Sequence, residues 1–102
     1  MPSHNKKKRL SELEKLIKRN KYFIITMKKC PYCHMAKSLL KQKSLRFKYR
    51  TKSNTPELMK ITNNYPFFPK IFFNGRFIGG YAELKTHLEK IRRSRGTARL
   101  RR

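Results

Sequence analysis

Hydrophobic residues recur along this chain with two different periods, and the changes between them lay out a series of elements. Ser11-Glu12-Leu13-Glu14 has the form of a capping box, with Ser11 as N-cap and Glu14 reaching back. Leu13, Leu16 and Ile17 then make a helical stripe that ends near Asn20. Tyr22-Phe23-Ile24-Ile25-Thr26-Met27 is apolar on consecutive positions, as in a strand covered on both faces. From Pro31 a second helix is predicted, with Met35, Ala36, Leu39 and Leu40 inward and Lys37, Lys41 and Lys43 outward. Phe47-Lys48-Tyr49-Arg50 alternates as a short strand. Thr55-Pro56-Glu57 opens a third helix through Leu58, Met59 and Ile61, stopping around Asn63-Asn64. Residues 65–68 are extended, because prolines follow Tyr65 and Phe68. Residues 70–73 and 76–78 read as strands joined by Asn74-Gly75, a strong hairpin signal. Leu84, Leu88 and Ile91 fall at i, i+4 and i+7 on a final helix.

The order α-β-α-β-α-β-β-α predicts an α/β domain. One βαβ unit supplies two parallel strands with a right-handed crossover, and the hairpin completes a mixed four-stranded sheet flanked by helices on both faces. The domain is expected over residues 10–93. A basic flexible tail is expected at 1–9, and an Arg-rich flexible tail, without apolar periodicity, at 94–102.

Composition changes this picture in one respect. The formal net charge is +23 on 102 residues, a field that attracts nucleic acid, acidic proteins, lipid headgroups and small carboxylates. No stretch approaches the roughly 18 apolar residues of a membrane span. The lysines near the N-terminus are not followed by an apolar run, so no secretory signal is expected. The default is a monomer in a reducing compartment, the cytoplasm, with nuclear access through Lys6-Lys7-Lys8-Arg9 or the Arg-rich end.

The chemistry of the chain concentrates in Cys30-Pro31-Tyr32-Cys33. These residues follow the buried strand and open the second helix. Pro31 suits the first helical position, which makes Cys30 the N-cap. Unpaired N–H groups of the first turn then point toward the Cys30 sulfur and favour its thiolate. The two cysteines are too close for their bridge to staple a fold, so its value is chemical, and thiol–disulfide exchange is the expected chemistry.

Three pieces together carry a family resemblance: Cys30-Pro31-Tyr32-Cys33 after a strand, Phe68-Pro69 before the hairpin, and Ile78-Gly79-Gly80-Tyr81 before the last helix. Over residues 22–91 the chain resembles a glutaredoxin of the dithiol type, within the thioredoxin-fold superfamily. The resemblance implies glutathione-dependent reduction of protein disulfides and of glutathione–protein mixed disulfides, with roles in electron transport and cell redox homeostasis. It makes Cys30 the nucleophile and Cys33 the resolving thiol. Glutathione is implied as co-substrate, without a metal, and the implied partners are disulfide-bearing or glutathionylated proteins. Pro66 and Pro69 are both candidates for a cis bond, and the resemblance selects Pro69. The glutathione groove it implies comprises Lys28 and Lys29 for the glycyl carboxylate, Tyr32 as a wall, and the backbone of Phe68 before Pro69. Gly80, Tyr81 and Ala82 then stand at a helix start suited to the γ-glutamyl carboxylate. Met27 stands where the family commonly has a lysine, and Phe67-Phe68 where it usually has Thr-Val.

Competing readings are weaker. His34 completes Cys-x-x-Cys-His, also a c-type haem attachment pattern, but no axial ligand stands in a suitable setting. His4, His34 and His87 do not combine with the cysteines into a zinc spacing. Phe67, Phe68, Phe72, Phe73 and Phe77 read as core and groove wall rather than as a base-stacking platform. The alternative from another class is a nucleic-acid-binding or packaging protein on a glutaredoxin-like scaffold, with weak polyanion binding through the basic tails.

Overall fold

The computed structural model describes residues 11–100, with side chains as far as Arg92. Helix α1 (Glu12–Arg19), strand β1 (Tyr22–Thr26), helix α2 (Pro31–Gln42), strand β2 (Lys48–Thr51) and helix α3 (Pro56–Ile61) come first. Strands β3 (Lys70–Phe73) and β4 (Arg76–Gly79) and helix α4 (Tyr81–Leu100) follow. The strands form one sheet in the order β2-β1-β3-β4. β1 and β2 are parallel, whereas β3 is antiparallel to both β1 and β4. This is the mixed four-stranded sheet that the pattern of the sequence predicts.

All five residues of β1 are buried, which explains its unbroken apolar run. Its side chains alternate between two cores, as the pleat of a strand requires. Phe23 and Ile25 pack with Leu13 and Ile17 of α1, Leu58 of α3 and Phe72 of β3. Tyr22 and Ile24 pack with Ala36 and Leu40 of α2, Leu84 and Leu88 of α4 and Ile71 of β3. Two helices therefore cover each face, and β1 is held from both.

Local chemistry sets the element ends. Ser11 Oγ accepts the Glu14 N–H at 3.1 Å, and Glu14 Oε1 accepts the Ser11 N–H at 3.2 Å, completing the capping box. Thr55 Oγ1 caps α3 by accepting the Leu58 N–H at 3.1 Å. Asn74 and Gly75 both have positive φ (50° and 84°), the backbone a two-residue primed hairpin turn needs.

The structure differs from the sequence reading in two places. Met35 is 41% exposed rather than inward. The buried stripe of α2 runs through Cys33, Ala36 and Leu40, which leaves position 35 on the flank of the helix. The apolar pattern of the final helix ends at Ile91, yet the backbone stays helical to Leu100. Arginine, alanine and leucine are good helix formers, and extending an existing helix costs little compared with starting one. Residues 94–100, where the sequence has no apolar stripe, thus have a helical backbone. The expected N-terminal tail, residues 1–9, and residues 101–102 lie outside the described residues.

Two predictions concern this scaffold. Leu40 is fully buried on the helix that carries both cysteines. Leu40→Ala removes its packing and leaves a cavity, so urea unfolding is expected to show a loss of about 2–5 kcal/mol. His87 shares a hydrogen bond of 3.0 Å between its Nε2 and Tyr22 Oη, with its ring 4.3 Å from that of Phe73. Burial, then the ammonium groups of Lys21 and Lys90, hold its pKa below the ordinary 6.5. The unfolded chain therefore takes up this proton first on acidification, and stability present above pH 6.5 is lost as the pH falls. Urea midpoints measured between pH 7 and pH 5 are expected to decline, and His87→Gln is expected to flatten that decline.

Candidate functional site

The buried strand β1 ends at Thr26, and the chain turns sharply at Lys29, whose φ is 53°. Cys30 follows in extended geometry as the N-cap of α2, with Pro31 in the first turn. Its Sγ accepts the Cys33 N–H at 3.2 Å, the contact that a cap side chain normally makes through oxygen. Cys30 and Cys33 are joined as a disulfide, with their Cα atoms 5.2 Å apart. The two sulfurs are not equivalent. Cys33 is only 3% exposed, whereas Cys30 stands half-buried at the surface.

An open groove of about 640 Å³ lies beside the disulfide, with Met27, Lys29, His34, Lys37 and Thr51 on its rim. Thr26 Oγ1 and Thr51 Oγ1 share a hydrogen bond of 2.9 Å, which ties the ends of β1 and β2 together beneath it. The Lys37 ammonium lies 4.0 Å from the centroid of the Tyr49 ring. Lys29 and Lys37 make the lining of this groove basic, and no acidic residue lines it.

The opposite flank is built from the segment before β3. The cis peptide bond is Phe68–Pro69, not the bond before Pro66. β3 pairs with β1 through Ile25↔Lys70, and one step further the antiparallel register brings Pro69 alongside Thr26. Lys70 then fixes this turn from below. It is fully buried, its Nζ donates to the Tyr65 carbonyl, and it sits 4.5 Å from the centroid of the Phe68 ring. Burial holds its pKa below the ordinary 10.5. Asn54 Nδ2 donates to the Pro66 carbonyl at 3.2 Å, so residues 65–69 are held from two sides.

The first turn of α4 completes the site. The rings of Tyr32 and Tyr81 are 5.8 Å apart and join the mouths of α2 and α4. The Gly80 N–H donates to Glu83 Oε1 at 2.8 Å. A side chain at Gly80 would bring its Cβ to 2.5 Å from Tyr65 Oη. Burial, and then the Glu83 carboxylate, push the Tyr65 pKa above its ordinary 10.0. The N–H groups of Tyr81 and Ala82, in the first turn, have no partner within the helix.

The residues singled out from the sequence thus fall into two groups. Lys29 joins the cysteines on one rim, while Tyr32, Tyr81, Phe68 and Pro69 belong to the other side. Lys28 is exposed but does not line the groove, and Ala82 is exposed on the first turn of α4. Gly80 offers its N–H to Glu83 rather than to the open side. Phe67, read as core or groove wall, is 64% exposed with its ring edge-on to Tyr65. Sequence reasoning missed Lys37 and Thr51 as groove residues and Lys70 as the anchor of the turn. Lys37 falls one helical turn after Cys33, a spacing that could have suggested its place. Nothing in the sequence marks the burial of Lys70. Among the described residues no group of three or more His, Cys, Asp or Glu could hold a metal ion, and no helix is long and apolar enough to cross a membrane.

The strand order and the place of the disulfide define the class of fold as thioredoxin-like. Known proteins narrow the class. The family model described as Glutaredoxin matches residues 22–78, so the chain belongs to the glutaredoxin family. A probable glutaredoxin of Acanthamoeba polyphaga mimivirus is 32% identical over 82 residues, covering 67% of this chain and 77% of that protein. Oxidized glutaredoxin 2 from Chlamydomonas reinhardtii superposes with a TM-score of 0.60 at 28% identity, over 83% of this chain and 91% of its own. A dithiolic glutaredoxin from Trypanosoma brucei brucei gives 0.63 at 25% identity, over 79% and 90%.

The packing at Gly80 yields a prediction. Tyr65 cannot easily yield to a Cβ there, because its ring lies between those of Phe67 and Phe77, at 5.6 and 5.1 Å. Gly80→Ala is expected to lower stability by about 1–3 kcal/mol. Removing the hydroxyl with Tyr65→Phe in the same chain is expected to recover most of that loss in urea titrations.

Proposed function

We propose that the protein is a glutathione-dependent thiol–disulfide oxidoreductase that reduces protein disulfides and glutathione–protein mixed disulfides. The observation that carries this reading is the asymmetry of the two sulfurs. Cys30 is reachable and accepts a helix-mouth N–H, while Cys33 lies buried directly behind it. The oxidised pair is opened when a glutathione thiolate attacks the Cys30 sulfur. The S–S bond breaks, its electrons leave on the Cys33 sulfur, which takes a proton, and Cys30 carries glutathione. A second glutathione thiolate then attacks the glutathionyl sulfur, releasing oxidised glutathione and the Cys30 thiolate. In the productive direction that thiolate attacks a glutathionylated protein at the glutathione sulfur and expels the protein thiol. On a protein disulfide it instead forms a mixed disulfide that Cys33 resolves.

The thiolate is the attacking species, so Cys30 must ionise below the free value of about 8.5. A helix dipole supplies about 0.3–1 kcal/mol in exposed settings. One pKa unit is about 1.4 kcal/mol, so the dipole alone moves the pKa by less than one unit. The directed Cys33 N–H and the ammonium groups of Lys29 and Lys37 supply the remainder. Lys29 also suits the glycyl carboxylate of glutathione, with Lys28 adding to the field. The backbone of Phe68 beside Pro69 suits the cysteinyl part, between the rims set by Tyr32 and Tyr81. The free N–H groups of Tyr81 and Ala82 suit the γ-glutamyl carboxylate. Gly80 contributes by close approach rather than through its own N–H, which Glu83 holds. The cytoplasm, where glutathione keeps such a pair turning over, is the compartment this reading assigns.

The test is glutathione-coupled turnover of a model mixed disulfide and of a protein disulfide. Cys30→Ser is expected to abolish both activities. Cys33→Ser is expected to retain removal of glutathione while losing most reduction of the protein disulfide. Equal loss of both activities in the two variants would count against this division of labour.

A further inference from the structure

A second groove, among the described residues, is larger than the one beside the disulfide. It has a volume of about 1220 Å³ and runs along β2, the edge strand of the sheet. All four residues of β2 are exposed. The groove is lined by Arg46, Lys48 and Arg50 from this stretch, by Arg19 and Lys21 around the end of α1, and by Lys41 from the end of α2. No acidic side chain lines it, and none occurs in the chain between Glu14 and Glu57. Lys48 and Arg50 alternate on one face of β2, about 6.6 Å apart along the strand, and Arg46 stands two residues before Lys48, ahead of the strand. The residues between them are aromatic, and Tyr49 points to the opposite face of the strand. Phe47 packs against the core, and Tyr49 stands 45% exposed beside it, with ring centroids 6.4 Å apart.

A charged edge strand discourages pairing with other sheets, and two lysines on the strand would be enough for that. It does not account for cations of the same sign brought from the ends of two helices into one groove. We propose that this groove binds single-stranded nucleic acid along the sheet edge, with phosphates along Arg46, Lys48 and Arg50 on one side of the strand and a base reaching over the edge to Tyr49 on the other, on the ring face away from Lys37. A nucleic-acid strand carries one charge per nucleotide whatever its sequence, which matches cations this dense. An acidic peptide would need to be acidic at nearly every contact to do the same. Interleaved cations and aromatic rings are how single strands are held without sequence preference. The site lies outside the cysteine groove, although the two share Thr51, so bound strand and redox centre occupy adjoining grooves.

The test uses the full chain, so that the basic ends are present in every sample. Binding of a fluorescent twelve-nucleotide oligo(dT) is followed by anisotropy over a range of salt concentrations. Lys48→Glu with Arg50→Glu is expected to weaken binding at least tenfold near 0.1 M salt. It is also expected to reduce the slope of log K against log salt by about 1.4, at about 0.7 for each phosphate no longer neutralised. Lys60→Glu with Lys90→Glu makes the same change in net charge at exposed positions away from the groove, and is expected to weaken binding less than threefold. Tyr49→Ala, which leaves the charge unchanged, is expected to weaken binding at least fivefold with an unaltered salt slope. Equal losses in the two charge-reversal variants would overturn the proposal, since attraction would then follow net charge alone. An unaltered affinity in Tyr49→Ala would overturn it, as would displacement of the oligonucleotide by polyglutamate of matched charge as readily as by unlabelled oligo(dT).

Discussion

A sulfur takes the place of an oxygen at the mouth of a helix, and most of this molecule is arranged to keep it there. The Cys30 Sγ accepts the Cys33 N–H, which the helix leaves without an internal partner. That hydrogen bond needs Cys30 in extended geometry directly before Pro31, and hence a strand ending close by. β1 meets the requirement because its five residues are buried between two pairs of helices and have no freedom to shift. A register slip of one residue would exchange its two faces and set Phe23 and Ile25 against the wrong core.

The second constraint is the turn across from the disulfide. Residues 65–69 are anchored by the buried Pro69 and by Phe68 against the core, while Phe67 is largely exposed. Polar groups hold them as well: Lys70 beneath the Tyr65 carbonyl and Asn54 at the Pro66 carbonyl. A buried ammonium group is costly unless its hydrogen bonds are met. Here a carbonyl oxygen and the Phe68 ring receive it. Tyr65 carries the same turn across to Gly80, where its hydroxyl leaves no room for a Cβ and the cis-proline segment lies close against the first turn of α4. The tyrosine pair Tyr32–Tyr81 links that turn of α4 to the helix holding the cysteines.

Much of this is legible in the order of residues alone. The capping box at Ser11, the N-cap at Cys30, the turn at Asn74-Gly75 and the succession of elements all follow from local rules, and each is in place. Pro69 needs the family resemblance, because spacing alone leaves Pro66 as its equal. Other features are hidden for physical reasons. Met35 is apolar, but its place on α2 depends on where the sheet lies, and no residue reports that by itself. Lys70 reads only as the first residue of a strand, since its burial depends on a carbonyl five positions away in the chain. The helix beyond Ile91 lacks an apolar stripe and rests on backbone propensity, which periodicity does not register. The groove along β2 is equally hidden, because it assembles cations from three separate segments.

The proposed chemistry depends above all on how readily the Cys30 thiol ionises once the disulfide is reduced. Thiolate absorbance near 240 nm, followed from pH 3 to pH 10 in the Cys33→Ser variant, reports that ionisation for a single sulfur. A midpoint well below the value of about 8.5 for free cysteine is the predicted result. A midpoint at or above that value would mean that neither the helix mouth nor the neighbouring lysines stabilise the thiolate, and the proposed chemistry would have no physical basis.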